Sequence, residues 1–121
     1  MRRNPKILGN WGEQMAAEYL RGAGYRIREA QYRTPLGEID LIAEKDGAII
    51  FAEVKTRRSS FFGTPAQAVN WRKQQKILRT ATCYVQDHQL EDRLCRFDVI
   101  EVYREPSGRA RLQHFEGAFE A

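Results

Sequence analysis

The stretch Gly37-Glu38-Ile39-Asp40-Leu41-Ile42-Ala43, followed after Lys45-Asp46-Gly47 by Ile49-Ile50-Phe51-Ala52-Glu53-Val54-Lys55, reads as a β-hairpin. Both arms are rich in apolar and β-branched residues, and Asp-Gly is the strongest short-range hairpin signal, because a type I′ turn needs φ > 0 at both centres. With Asp46 and Gly47 as turn residues, Lys45 faces Ala48, Asp40 faces Glu53 and Glu38 faces Lys55. A four-residue loop from Lys45 to Ala48 keeps that register; a three-residue loop would break it.

Two carboxylates opposite each other on one sheet face have Cβ atoms about 5 Å apart, and like charges so placed destabilise the pair. A hard divalent cation relieves this: Mg²⁺ takes carboxylate, carbonyl and water oxygens, and usually keeps several waters. Lys55 follows Glu53 by two residues and shares its face. The strand thus offers a metal ligand and, one step along, a cation for a phosphate or a water. This constellation suits phosphodiester cleavage, with the metal as Lewis acid and water activator and the lysine set against developing charge. On the bland reading, the hairpin face is simply exposed, and a Glu38–Lys55 ion pair contributes about 0–1 kcal/mol.

Asp40, a twelve-residue interval and then Glu53-Val54-Lys55 resemble the D…(D/E)-X-K signature of the PD-(D/E)XK nuclease superfamily, which includes restriction enzymes and Holliday-junction resolvases. Ile39 stands where that signature usually has proline. Over nearly its whole length the chain resembles the YraN family of small bacterial proteins. The matching motifs are Gly9-Asn10-Trp11-Gly12-Glu13, Gly37 to Ala43, Phe51-Ala52-Glu53-Val54-Lys55-Thr56-Arg57, Lys73 and Arg96-Phe97-Asp98-Val99-Ile100. The resemblance implies an α/β restriction-endonuclease-like core, αβββαβ with an extra C-terminal strand, its mixed sheet flanked by helices. It also implies Mg²⁺- or Mn²⁺-dependent hydrolysis of DNA, with branched DNA as the substrate analogy. Asp40, Glu53 and the Val54 carbonyl would hold metal, Glu13 would complete the shell directly or through water, and Lys55 would act on the attacking water or the transition state. The rival reading is a nucleic-acid-binding module that keeps the fold without turnover.

The 121 residues, 42% of them apolar, suit one domain with a core that needs no staples. Cys83 and Cys95 form no Cys-x-x-Cys pair, which argues against a disulfide framework or zinc knuckle and for a reducing cytoplasm. The basic start Met1-Arg2-Arg3-Asn4-Pro5-Lys6 leads into no apolar segment, so a soluble, unsecreted protein with no membrane partner is expected. A net charge of +4 and a pI near 9.3 are compatible with a polyanionic partner. A symmetric dimer would suit cutting of two strands.

Along the chain, Asn10 to Arg21 reads as a helix ending at Gly22 or Gly24, with Ala16, Ala17 and Leu20 as its apolar stripe. Glu13 falls on that stripe and points toward the protein, although Asn10 with Glu13 also fits a capping box. Tyr25, Ile27 and Ala30 mark a first strand, and Thr34-Pro35-Leu36-Gly37 a turn. Thr64-Pro65-Ala66-Gln67 carries the cap signals of a long helix, lined by Val69, Ile77, Leu78, Ala81, Tyr84 and Val85. On that helix Lys73 and Gln67 could reach a phosphate, while Arg72, Lys76 and Arg79 gather opposite the apolar side. With Arg57 and Arg58 they are read as a solvated face that could also contact nucleic acid. Trp11, Trp71, Phe61 and Phe62 are read as core or dimer surface before base stacking. Arg96 to Tyr103 and Arg109 to Phe115 are the last two strands, and His88 and His114 are read as isolated.

Overall fold

In the computed structural model, which describes residues 11–58 and 69–120, the hairpin turns at Asp46 and Gly47 with φ of 52° and 83°. Both centres are left-handed, as a type I′ turn requires. Strand β2 (Gly37–Lys45) pairs antiparallel with β3 (Ala48–Arg58) from Lys45↔Ala48 to Leu41↔Ala52, the expected register. Before β2 come helix α1 (Trp11–Gly22) and strand β1 (Arg26–Thr34); after β3 come helix α2 (Trp71–Asp87) and strands β4 (Cys95–Arg104) and β5 (Ala110–Phe119).

The five strands lie in the order β1-β2-β3-β4-β5, with β3 and β4 parallel and the other neighbours antiparallel. Parallel strands need a crossover, and α2 supplies it. This is the mixed sheet flanked by helices that a restriction-endonuclease-like core requires.

Alternation along the strands separates two apolar cores, one on each face. Leu41, Ala43, Ile50, Ala52, Ile100 and Val102 pack with Ala16, Ala17 and Leu20 of α1. Ile42, Ile49, Phe51, Phe97 and Val99 pack with Ile77, Ala81 and Tyr84 of α2. Continuing β3 by twos from Phe51 carries Glu53, Lys55 and Arg57 along the α2 face, beyond the apolar core. At the other end of the sheet Glu44 binds Arg26, Arg28 and Arg93 together, and their hydrogen bonds and charges pull its carboxyl down to about 2.

Helix α2 is shorter than its sequence pattern suggests. Asn70 is its N-cap, with an extended backbone and a side chain that accepts the Lys73 amide proton at 2.9 Å. A cap at Asn70 means that α2 does not run back through that residue, because the N-cap residue has non-helical backbone angles. Val69 is nevertheless buried in the α2-side core, so its apolar character serves packing from outside the helix. The proposed caps Asn10 and Thr64-Pro65-Ala66-Gln67, together with Phe61, Phe62 and the Arg58 side chain, lie outside the described residues. Strand β1 runs further than its apolar markers, up to the Thr34–Gly37 turn.

Candidate active site

The β2–β3 ladder stops at Leu41↔Ala52, one pair short of Asp40 and Glu53. There the Val54 amide donates to Asp40 Oδ2 at 2.8 Å, so a side chain replaces the next backbone rung. Because the amide and carbonyl of one strand residue face the same edge, the Val54 carbonyl also turns toward this gap. On the other side of β2, pairing passes from Ala30↔Leu41 to Tyr32↔Ile39 and skips Gln31 and Asp40. Ile39 consequently breaks the alternation and packs in the α2-side core, although Leu41 faces α1.

This break lets residues from both helices meet at Asp40. Glu13, from the first turn of α1, stands close enough to the Asp40 carboxyl for each to influence the other, and accepts a short bond from Gln31 Nε2. From α2, Lys73 pairs with Glu53 Oε2, and Lys55 approaches the same oxygen at 3.5 Å. Glu13, Asp40, Glu53 and Lys73 line one cleft of about 590 Å³, with Lys76, Arg33, Glu38 and the Thr34–Gly37 turn forming its outer wall. Gly37 lets that turn approach α2: a Cβ there would lie 2.8 Å from Thr80 Oγ1. Gly12 does the same for α1, since its Cβ would fall 2.0 Å from Thr56 Oγ1.

Crowding of like charge sets the electrostatics. Burial, then the charge of Glu53, pushes the Asp40 carboxyl up to about 8. Glu13 is raised too, chiefly by burial. Burial lowers the Lys55 ammonium, and Lys73 lowers it further. Burial alone would lower Lys73, but the hydrogen bond and charge of Glu53, with Lys55 and Asp40, together outweigh it and raise the ammonium. The donor set, carboxylates with a facing carbonyl, suits a hard cation. Among the described residues no group of three or more Asp, Glu, His or Cys side chains is arranged to hold a metal ion. Mg²⁺ commonly uses only one or two carboxylates and fills its shell with water, so Asp40 and Glu53 meet that requirement.

The other sequence candidates separate. Lys76 stands in the cleft wall, whereas Arg72 and Arg79 are exposed on α2 outside its lining. Arg57 is not a solvated side chain: it pairs with the fully buried Glu101 at 3.6 Å, and Glu101 also takes the Tyr103 hydroxyl at 2.6 Å. Glu38 pairs with Arg33 at 3.6 Å where Lys55 was expected, because β2 and β3 have parted before reaching it. Trp71 is 73% exposed, so it is no core residue, and Trp11 lies half-buried beneath the Arg104 guanidinium.

His114 is not isolated. Its Nε2 lies 2.7 Å from buried Asp98, and its Nδ1 lies 2.9 Å from the Tyr19 hydroxyl. Arg96 and the Gly117 amide also bond to Asp98, which explains a carboxylate inside the apolar run Arg96-Phe97-Asp98-Val99-Ile100. That charge within an apolar strand was the available signal. Glu101, between Ile100 and Val102, carried the same signal, whereas Gln31 offered none, since it reads as an ordinary strand residue.

The sequence profile described as "Uncharacterised protein family UPF0102" matches residues 12–102, three quarters of the chain. The chain belongs to the UPF0102 family. This agrees with the YraN-like motifs. A UPF0102 protein of Symbiobacterium thermophilum is 46% identical over 114 residues, covering 94% of this chain and 97% of its own. One from Alkaliphilus oremlandii is 47% identical over 116 residues, covering 94% and 98%. One from Alkaliphilus metalliredigens is 52% identical over 97 residues, covering 80% and 85%. The UPF0102 match runs from α1 through β4 and so includes Glu13, Asp40, Glu53, Lys55 and Lys73. Among the described residues of this UPF0102 chain, no helix is long and apolar enough to cross a membrane.

Proposed function

We propose that this chain is a divalent-metal-dependent endonuclease-like hydrolase of DNA phosphodiesters. The observation that carries the reading is the convergence of Glu13, Asp40, Glu53 and Lys73 on one cleft, with Lys55 on the same Glu53 oxygen. Asp40, Glu53 and the Val54 carbonyl would hold Mg²⁺ or Mn²⁺, and Glu13, on the same cleft, would complete the shell directly or through water. The ion would supply Lewis acidity at the phosphoryl group and make water a stronger nucleophile.

The protein's own groups perform the remaining work. Lys55, with its ammonium lowered and paired with Glu53, would orient the attacking water or answer charge on the phosphoryl oxygens. Lys73 and Lys76 stand in the cleft wall, where they would hold the phosphodiester backbone and fix the scissile group in place. The Thr34–Gly37 turn and Leu36 bound the opening. The analogy with junction resolvases suggests branched DNA, and a two-fold dimer would match a two-fold substrate.

One observation favours a second reading. Glu53 already has two lysines on one oxygen, so the site can balance charge without a cation. A DNA-binding module without turnover would need no more than this. Calorimetry with Mn²⁺ on wild type and Asp40→Ala, alongside cleavage assays on linear, single-stranded and four-way-junction DNA, decides between them. The enzyme reading expects Mn²⁺ binding that Asp40→Ala abolishes, with cleavage of at least one substrate. No binding at millimolar Mn²⁺, with or without DNA, would overturn it in favour of the binding module.

A further inference from the structure

Gln31 has φ of 58° within strand β1. The other non-glycine residues with positive φ among those described are Asp46, at the hairpin turn, and Gln89, just beyond α2, where the chain reverses. Gln31 has no such turn to make. A left-handed backbone is uncommon for a long side chain and persists only where the surroundings enforce it.

The side chain shows what is enforced. Its Nε2 donates to Glu13 Oε1, while its Oε1 is buried with no hydrogen-bond partner among the described residues. A buried orphan acceptor in a folded protein calls for an explanation, as does strain inside a strand. Here both fall on one residue, and both are incurred in reaching one carboxylate. The same backbone turn makes β1 skip its pairing with Asp40, which frees Asp40 to meet Glu13.

We propose that Gln31 is the positioning residue of the site: its left-handed backbone turns the amide onto Glu13 and fixes that carboxylate toward Asp40. The inference rests on the nuclease reading and deepens it by adding a residue that touches no substrate. A glutamate on α1 has three rotatable side-chain bonds, and one donor from the neighbouring strand selects the rotamer that faces Asp40. Outer-sphere partners of this kind are typically worth 10- to 100-fold in metal affinity.

Gln31→Gly separates the side chain from the backbone. Glycine adopts positive φ freely, so the turn is kept and its strain relieved while the amide is lost. The expected result is a melting temperature equal to or above wild type, with Mn²⁺ affinity by calorimetry down about tenfold. Gln31→Asn, which keeps an amide and tolerates the left-handed region, should recover part of that loss. In the metal-free protein, the Gln31 side-chain amide resonances, assigned by their disappearance in Gln31→Gly, should move when Glu13 is changed to alanine. Wild type that binds Mn²⁺ while Gln31→Gly binds equally well overturns this inference alone. Wild type that binds no Mn²⁺ overturns the nuclease reading, and this inference with it. Amide resonances that ignore Glu13→Ala overturn the contact itself.

Discussion

The Asp40 carboxylate accepts the Val54 amide proton at 2.8 Å, across the gap where β2 and β3 part. Asp40 thus completes the sheet with a side chain and crowds its charge against Glu53 in the same step, and burial with that charge holds its carboxyl at about 8. From about pH 4, where an unfolded aspartate ionises, up to about pH 8, the unfolded chain releases a proton that the folded protein keeps. Stability therefore falls across this window as pH rises and levels off above it. Asp40→Asn retains an acceptor for Val54 and removes the titration. In chelator, urea melts should find it more stable than wild type by on the order of 2 kcal/mol at pH 8, with the difference vanishing near pH 4. A difference that does not change with pH would count against a buried, like-charged Asp40.

Glu53 is 5% exposed, and Lys55 and Lys73 meet on one of its oxygens. Replacing either lysine by methionine should cost about 1 kcal/mol, because the other still neutralises the carboxylate. The double variant leaves a buried charge without a partner, which costs about 3–5 kcal/mol. A double-mutant cycle read by chemical denaturation should therefore show strong coupling, and additivity would mean that the two lysines do not share Glu53.

Gly12 lies against Thr56 so closely that an added Cβ would sit 2.0 Å from Oγ1. Gly→Ala in a helix ordinarily gains up to about 1 kcal/mol. Here Gly12→Ala should instead lose about 1–3 kcal/mol through overpacking. Adding Thr56→Ala, which removes the obstructing oxygen, should restore wild-type stability or exceed it. If Gly12→Ala alone proves stabilising, α1 does not dock this closely on β3.

Asp98 is buried and bonded to Arg96, His114 and the Gly117 amide. Burial would raise its carboxyl, but the bonds from His114 and Arg96 hold it below the usual aspartate range. Its stabilising contribution is present above about pH 4 and is lost as pH falls through that lowered value. Asp98→Ala should cost about 3–5 kcal/mol by leaving the Arg96 and His114 donors without their acceptor. Thermal melts at pH 7 would check this, and a loss under 1 kcal/mol would show the cluster to be ornamental to the fold.

Lys76 stands in the cleft wall and Arg79 outside it. If DNA passes through the cleft, Lys76→Ala should lower the slope of log affinity against log salt by about one, and Arg79→Ala should leave it unchanged. Fluorescence anisotropy with short duplexes at several salt concentrations reads this directly; equal effects of the two would place the DNA across the outer face of α2.

The chain's local chemistry was sufficient for much of this. Asp46-Gly47 determined the hairpin and its register, because only residues tolerant of positive φ close a type I′ turn. The period of two then assigned Glu53 and Lys55 to one face of β3, and the glycine-bounded apolar stripe of α1 aimed Glu13 inward. These follow from sterics between near neighbours, which the sequence carries in full. Tertiary structure decided where the strands separate, so that Glu38 takes Arg33 and Asp40 takes Val54. It also placed the cap of α2 at Asn70, paired His114 with Asp98 and Arg57 with Glu101, and bent β1 at Gln31 toward Glu13. Each of these joins residues from different elements, and a side chain's partner across such a distance depends on how both elements pack against the sheet. Periodicity tells a residue which way to face, and packing decides what it finds there.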